Sequence, residues 1–147
     1  RVVVLDDLVP AKGKPGKVTT HFQTAWPPTL DADAANPMIV RGQKGAIGLR
    51  CFGHNVTLQA NDRRFRSNWS WAKIAEGGPG DWHTVSGSYT ADPARPLVTV
   101  IQPAAGDADP PDPPRVQYAD DTIEVRFTDG AAMTFKRDKA GWRFAKP

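Results

Sequence analysis

The sequence predicts an all-β fold, an antiparallel two-sheet β-sandwich that ends in a three-stranded meander. Three observations lead to this prediction. The 14 prolines and 13 glycines divide the chain into short runs rich in Val, Ile, Thr and Phe. No segment repeats its apolar residues every 3.6 positions over three turns, as an amphipathic helix would. The 147 residues can bury a core of their own, so we assign residues 1–147 to a single domain.

The candidate strands follow one another at short intervals, joined by Gly- and Pro-rich segments such as PAKGKPG, RGQKG and EGGPGD. In the second strand, from Lys17 to Thr24, the side chains alternate, so His21 and Phe22 are expected on opposite faces. In chain order the eleven candidates are VVVLDDL, KVTTHFQT, MIVRG, AIGLRCF, NVTLQA, WHTVSGSYT, LVTVIQP, RVQYA, TIEVRF, AAMTFKR and WRFA.

The last three strands can be aligned by requiring their apolar residues to share one face. A two-residue turn would put Met133 and Val125 on opposite faces of the sheet, whereas a three-residue loop makes them cross-strand partners on the same face. That loop requires Gly130 in the left-handed conformation. A four-residue loop then continues the meander and sets Phe144 opposite Phe135.

One segment, at about residues 103–115, is dominated by Pro, Asp, Ala and Gly. Proline cannot donate to a β-ladder, so this segment is predicted to be a long loop. It does not mark a domain boundary, because the strands that follow it are too few to form a stable unit.

Composition excludes several classes of protein. The net charge of +3 is mild, and its basic residues are scattered except for the run RRFR, so we expect no nucleic-acid partner. No window holds the roughly 18 apolar residues of a membrane-spanning helix, so no membrane contact is expected. Cys51 is alone, which excludes a disulfide and a zinc knuckle. Because Arg1 lies directly inside a β-branched run, we expect the chain to be a fragment of a longer protein.

The opening segment, RVVVLDDLVPAKGKPGKVTTHFQTAWP, has a distinctive order of features. A strand ends in an acidic pair, a Pro/Gly linker follows, and a basic residue leads into a strand in which a histidine precedes an aromatic residue. This order resembles the heparinase II/III-like polysaccharide lyases, where the corresponding stretch lies in a β-sandwich downstream of a helical toroid. The later segment PLVTVIQP resembles the strand that follows in that family. The resemblance covers about the first quarter of the chain well and the rest in overall pattern.

The resemblance implies one metal ligand. In family members with a structural metal in the sandwich, the histidine of this strand is a ligand together with a His and an Asp from strands further upstream, and His21 is the matching position here. Its partners would precede Arg1, so zinc is expected only in the full-length protein and no cofactor in the fragment, because structural zinc takes four ligands. The alternative is a strand histidine that is hydrogen-bonded within its sheet.

The activity that the resemblance implies is β-elimination at a uronic acid of an acidic polysaccharide such as a glycosaminoglycan. A base removes the C5 proton, a neutraliser binds the carboxylate, and an acid protonates the leaving oxygen. The family places most of these groups on the toroid, so we expect no catalytic residue here and no activity of the fragment alone. His54 and His83 lie beside turn residues with no carboxylate at motif spacing, and we expect exposed or capping roles for both.

The middle segment, NDRRFRSNWSWAKIAEGGPGDWHT, carries the candidate substrate-binding residues. Guanidinium groups bind carboxylates and sulfates through two parallel hydrogen bonds, and indole rings stack on pyranose rings. Alternatively, the two neighbouring tryptophans share one strand face and belong to the core. The candidates are Arg63, Arg64, Arg66, Trp69 and Trp71.

The resemblance therefore implies that the chain is the C-terminal accessory β-sandwich of a heparinase II/III-like lyase that acts in carbohydrate metabolism. Its expected partners are the upstream toroid of the same chain and an acidic polysaccharide, and the parent protein is expected to be bacterial and periplasmic or secreted. Two alternatives stay open: an independent carbohydrate-binding module, and an adhesion or interaction sandwich without a sugar ligand.

Overall fold

Twelve β-strands make up the regular structure of the computed structural model, which describes residues 1–8, 16–24, 26–30, 37–66 and 81–145. Within those residues there is no helix that could cross a membrane. The strands are β1 (Val2–Asp6), β2 (Gly16–Thr24), β3 (Pro28–Leu30), β4 (Pro37–Gly42), β5 (Gly45–Phe52), β6 (His54–Arg66), β7 (Asp81–Ala91), β8 (Leu97–Ala105), β9 (Arg115–Ala119), β10 (Thr122–Arg126), β11 (Ala132–Asp138) and β12 (Gly141–Ala145).

The strands form three antiparallel sheets, so the predicted all-β antiparallel sandwich is confirmed and has one sheet more than the two we predicted. The central sheet has the strand order β1-β8-β5-β4-β3. The three-stranded sheet has the order β2-β7-β6, and the C-terminal sheet has the order β12-β11-β10-β9.

The central sheet is covered on both faces, because β8 carries large apolar side chains on both. Leu97 belongs to a hydrophobic core with Val85 of the three-stranded sheet. The next residue, Val98, belongs to a second core with Ile123 and Val125 of the C-terminal sheet. A nearly continuous apolar run, here Leu97 to Ile101 with only Thr99 interrupting it, is typical of a strand that is buried on both faces. The molecule therefore has two cores that share one sheet, which explains the third layer.

The predicted C-terminal meander is confirmed in its register. Val125 lies opposite Met133 between β10 and β11, and Phe135 lies opposite Phe144 between β11 and β12. Gly130 has a φ of 87°, the left-handed conformation that the three-residue loop requires. β9 also pairs with β10, so the meander continues into a fourth strand.

The Pro- and Asp-rich segment is a loop, although β8 continues to Ala105 before the loop begins. Pro110 is buried over Gly48 of β5, so closely that a Cβ atom on Gly48 would lie 2.7 Å from the Pro110 ring. Arg41 of β4 forms an ion pair with Asp109. These contacts hold the loop against the central sheet.

Candidate functional site

His21 lies on the outer face of the three-stranded sheet. The apolar neighbour Phe22 packs against the first core, and the alternation of β2 leaves the His21 side chain exposed. His21 is the cross-strand partner of Ser86 in β7, and its Nδ1 atom lies 3.2 Å from the Ser86 hydroxyl oxygen. Here His21 is a strand histidine that hydrogen-bonds to a neighbouring strand.

No group of three potential metal ligands lies together in the part of the chain that the structure describes. Zinc ligation by His21, with partners from strands that precede Arg1, stays a prediction.

The predicted arginines of the substrate-binding cluster lie near the end of β6. The ladder pairs Arg64 with His83 and Arg66 with Asp81, after an irregularity in register that follows Asn61. The side chains of Arg63, Arg64 and Arg66 lie outside what the structure describes, and their contact with a sugar stays a prediction. Trp69 and Trp71 lie outside the described residues.

Of the other histidines, His54 acquires a partner that the sequence did not indicate. Its Nδ1 atom lies 3.5 Å from a carboxylate oxygen of Asp92, and its side chain is 46% exposed. Asn55, the next residue, has a positive φ of 54°. His83 is half-buried in β7.

The outer face of the C-terminal sheet is polar and basic. Residues such as Val116, Ile123 and Phe135 point into the second core, so alternate positions of each strand point outward. None of these outward positions, within the described strands, carries an aromatic side chain. They are Arg115, Gln117, Ala119, Thr122, Glu124, Arg126, Ala132, Thr134, Lys136, Asp138, Gly141, Arg143 and Ala145.

Two pairs of like-charged residues lie directly opposite each other on this outer face. Arg115 is the cross-strand partner of Arg126 between β9 and β10. Lys136 is the cross-strand partner of Arg143 between β11 and β12. Like charges directly opposite each other destabilise an antiparallel sheet. A local arrangement that works against the fold is typical of a binding surface.

Carboxylates on the same face neutralise only part of this charge. Glu124 Oε1 lies 2.7 Å from Arg126 Nη2, and Asp138 Oδ2 lies 3.1 Å from Arg143 Nε. The face therefore has four cations and two carboxylates, which leaves two positive charges in excess. The paired arginines remain 62% and 66% exposed, so an external anion can reach them.

An open groove of about 210 Å³ lies at the first cation pair. It is lined by two guanidinium groups, one carboxylate and one amide, from Arg115, Arg126, Glu124 and Gln117. Guanidinium groups can hold an anion through paired hydrogen bonds, while amide and carboxylate oxygens accept hydrogen bonds from hydroxyls.

This surface was not predicted from the sequence, because its four cations are dispersed between residues 115 and 143 and no two are adjacent. The signal was present in the alternation of RVQYA and TIEVR, which places basic side chains on the face away from the apolar ones. Only the pairing of the strands brings the cations together.

Comparison of the chain with models of known protein families, with curated proteins and with solved structures finds no match in any of the three.

Proposed function

We propose that this chain is the accessory β-sandwich of a heparinase II/III-like polysaccharide lyase, and that it binds an acidic polysaccharide on the outer face of its C-terminal sheet. The observation that carries the proposal is the presence of two like-charged pairs, Arg115 with Arg126 and Lys136 with Arg143, on one exposed face. The order of strands and the histidine in the opening segment support the choice of family.

The chemistry of this face suits an anionic sugar. Carboxylate and sulfate groups accept two parallel hydrogen bonds from one arginine, and these charge-assisted bonds are stronger than neutral ones. Gln117, Thr122 and Thr134 lie on the same face and can hydrogen-bond to hydroxyls. The two carboxylates form exposed ion pairs, which typically contribute at most about 1 kcal/mol, so an incoming anion can displace them at little cost.

In this proposal the chain holds the polymer and does not cleave it. The toroid that precedes it would supply the base, the neutraliser and the acid for β-elimination. The parent protein would then act in the periplasm or outside a bacterial cell, where acidic polysaccharides are encountered.

A self-contained carbohydrate-binding module is the second candidate. It is favoured by the fact that strands β9 to β12 carry all six charged residues of the outer face, so that this surface needs no residue of a toroid. The intact parent protein discriminates between the two candidates, because only a lyase produces unsaturated uronate from an acidic polysaccharide.

The test is to measure binding of the chain to heparin, heparan sulfate and alginate, with uncharged dextran as the reference polymer. We expect binding to the three acidic polymers that weakens as salt increases, no binding to dextran, and no rise in the ultraviolet absorbance of unsaturated uronate. Replacing Arg115 and Arg126 with Gln should weaken binding at least tenfold. The matched control replaces Lys17 and Lys44, two exposed lysines on other surfaces, with Gln. Equal affinity for dextran and the acidic polymers would contradict the proposal.

A further inference from the structure

The two cation pairs occupy opposite corners of the outer face. Arg115 and Arg126 lie in one cross-strand row, and Lys136 and Arg143 lie in another row that also contains Thr122. Arg126 and Thr122 are both on β10, so the two rows are four residues apart along the strand. The middle of one pair is also displaced from the middle of the other by two strand spacings.

These positions define a diagonal. Four residues of strand extend about 13 Å and two strand spacings cover about 10 Å, so the centres of the two pairs are about 16 Å apart along the diagonal. Between them lies a row that contains Gln117, Glu124 and Thr134. This middle row offers hydrogen-bonding groups, one of them a carboxylate, and no cation.

We propose that the two pairs are separate subsites for anionic groups of one linear polyanion, which crosses the C-terminal sheet diagonally. One negative group is held between Arg115 and Arg126, and another is held between Lys136 and Arg143. The sugar residues between these two groups pass over the middle row, where their hydroxyls can hydrogen-bond to Gln117, Glu124 and Thr134. That the polyanion is a polysaccharide rests on the function proposed above, whereas the diagonal follows from the cation positions alone.

Two subsites joined by one ligand impose a minimum ligand length. A ligand that reaches both pairs binds the second as an intramolecular event, at a high effective concentration, and gains affinity without any new kind of contact. A disaccharide is too short to reach both pairs and can occupy only one. Affinity should therefore increase abruptly at the length that spans the diagonal, and only gradually beyond it.

Single-stranded nucleic acid is also a linear polyanion, but this face fits it poorly. Proteins that bind single strands combine a basic groove with aromatic side chains on which bases stack. The outward positions of β9 to β12 provide no aromatic ring. We therefore commit to an acidic polysaccharide, and an oligothymidylate with the same number of charges serves as the competing ligand.

The test is calorimetric titration of the chain with alginate and heparin oligosaccharides, from the disaccharide to the decasaccharide, at constant ionic strength. For the unmodified chain we expect affinity to rise at least tenfold between the disaccharide and the shortest oligosaccharide that spans the diagonal. The double variants R115Q/R126Q and K136Q/R143Q should each lose this step and retain weak binding at every length. The charge-matched control K17Q/K44Q should keep the step.

The outcomes separate this inference from the proposed function. A smooth rise in affinity with length in the unmodified chain, or an equal loss in all three double variants, would overturn the two subsites while leaving polysaccharide binding in place. If the chain binds none of the acidic polysaccharides, both the two subsites and the proposed function are overturned. Tighter binding of the oligothymidylate than of the oligosaccharides would overturn the choice of ligand. The variants change exposed residues only, and circular dichroism should show the same fold in each.

Discussion

Cys51 shows how the fold changes the chemistry of a single residue. Its side chain is 3% exposed within the first core, and its Sγ atom lies 3.6 Å from the Thr99 hydroxyl oxygen. Burial raises the pKa of the thiol from 9.0 to about 11, and the contact with Thr99 opposes this shift only in part. The cysteine therefore serves as a small apolar core residue and not as a nucleophile.

This raised pKa predicts a loss of stability in alkaline solution. Between pH 9.0 and about 11 the unfolded chain releases the thiol proton while the native chain retains it. The contribution of Cys51 to the free energy of unfolding should therefore be fully present below pH 9 and should decrease as the pH rises through this window, by at most about 1.4 kcal/mol per pH unit. Urea titrations at several pH values measure the decrease. Cys51→Ala should be less stable at pH 7 but should lose this part of the pH dependence; an unchanged dependence would assign it to other groups.

His21 is expected to contribute little to the stability of the chain itself. Its side chain is exposed and hydrogen-bonds to Ser86, so His21→Ala should change the free energy of unfolding by no more than about 0.5 kcal/mol. In the longer lyase proposed above, with zinc bound through His21, the same substitution should lower both the metal content and the melting temperature, because a metal bound only by the native state stabilises it. Metal analysis of the longer protein and of its His21→Ala variant decides the matter: equal, near-zero zinc in the two would leave His21 as an ordinary strand histidine.

At the scale of elements, the hairpin between β10 and β11 depends on one backbone conformation. Gly130 has a φ of 87°, and a Cβ atom added there would contact nothing within 4 Å. Any cost of Gly130→Ala therefore comes from the conformation and not from a clash, and we expect about 1 kcal/mol of destabilisation. Gly16→Ala is the matched control, since Gly16 also has open space around it but no positive φ. Thermal unfolding should show a lower melting temperature for the first variant alone, and equal effects would refute the argument.

The elements also show what could be predicted from the sequence. Alternation and loop length determine the pairing of Val125 with Met133, because these strands are joined by a short loop. The pairing of Lys136 with Arg143 follows from the same register, and extending the alignment across the turn at 120–121 would have found Arg115 opposite Arg126. The candidate surface was therefore accessible to sequence reasoning once β9 was included in the meander.

The neighbours of β8 were not accessible in this way. β8 pairs with β1 and β5, which lie far away in the sequence, and alternation along a strand does not identify a distant partner. Nor does it reveal that both faces of one sheet are covered, because a largely apolar run such as Leu97 to Ile101 is equally compatible with several buried arrangements. The third layer thus depends on long-range packing that a single sequence does not specify.

At the scale of the whole molecule, the two cores share β8, and this predicts that the three sheets unfold together. Leu97 and Val98 are adjacent, almost completely buried, and belong to different cores. Truncating either to Ala should cost roughly 2–3 kcal/mol through lost burial and the cavity left behind. Because β8 must remain in place for either core to form, each substitution should destabilise both the three-stranded sheet and the C-terminal sheet.

Native-state hydrogen exchange, followed residue by residue, tests this cooperativity. In Leu97→Ala, amides of β7 and of β10 should lose protection by the same free energy, although only β7 contributes to the core that has been truncated. Val98→Ala should give the same result with the roles of the two cores exchanged. Loss of protection confined to the three-stranded sheet in the first variant, and to the C-terminal sheet in the second, would show instead that each outer sheet unfolds from the central sheet on its own. In that case the polyanion-binding face would be a separately folding layer, and its affinity should survive Leu97→Ala.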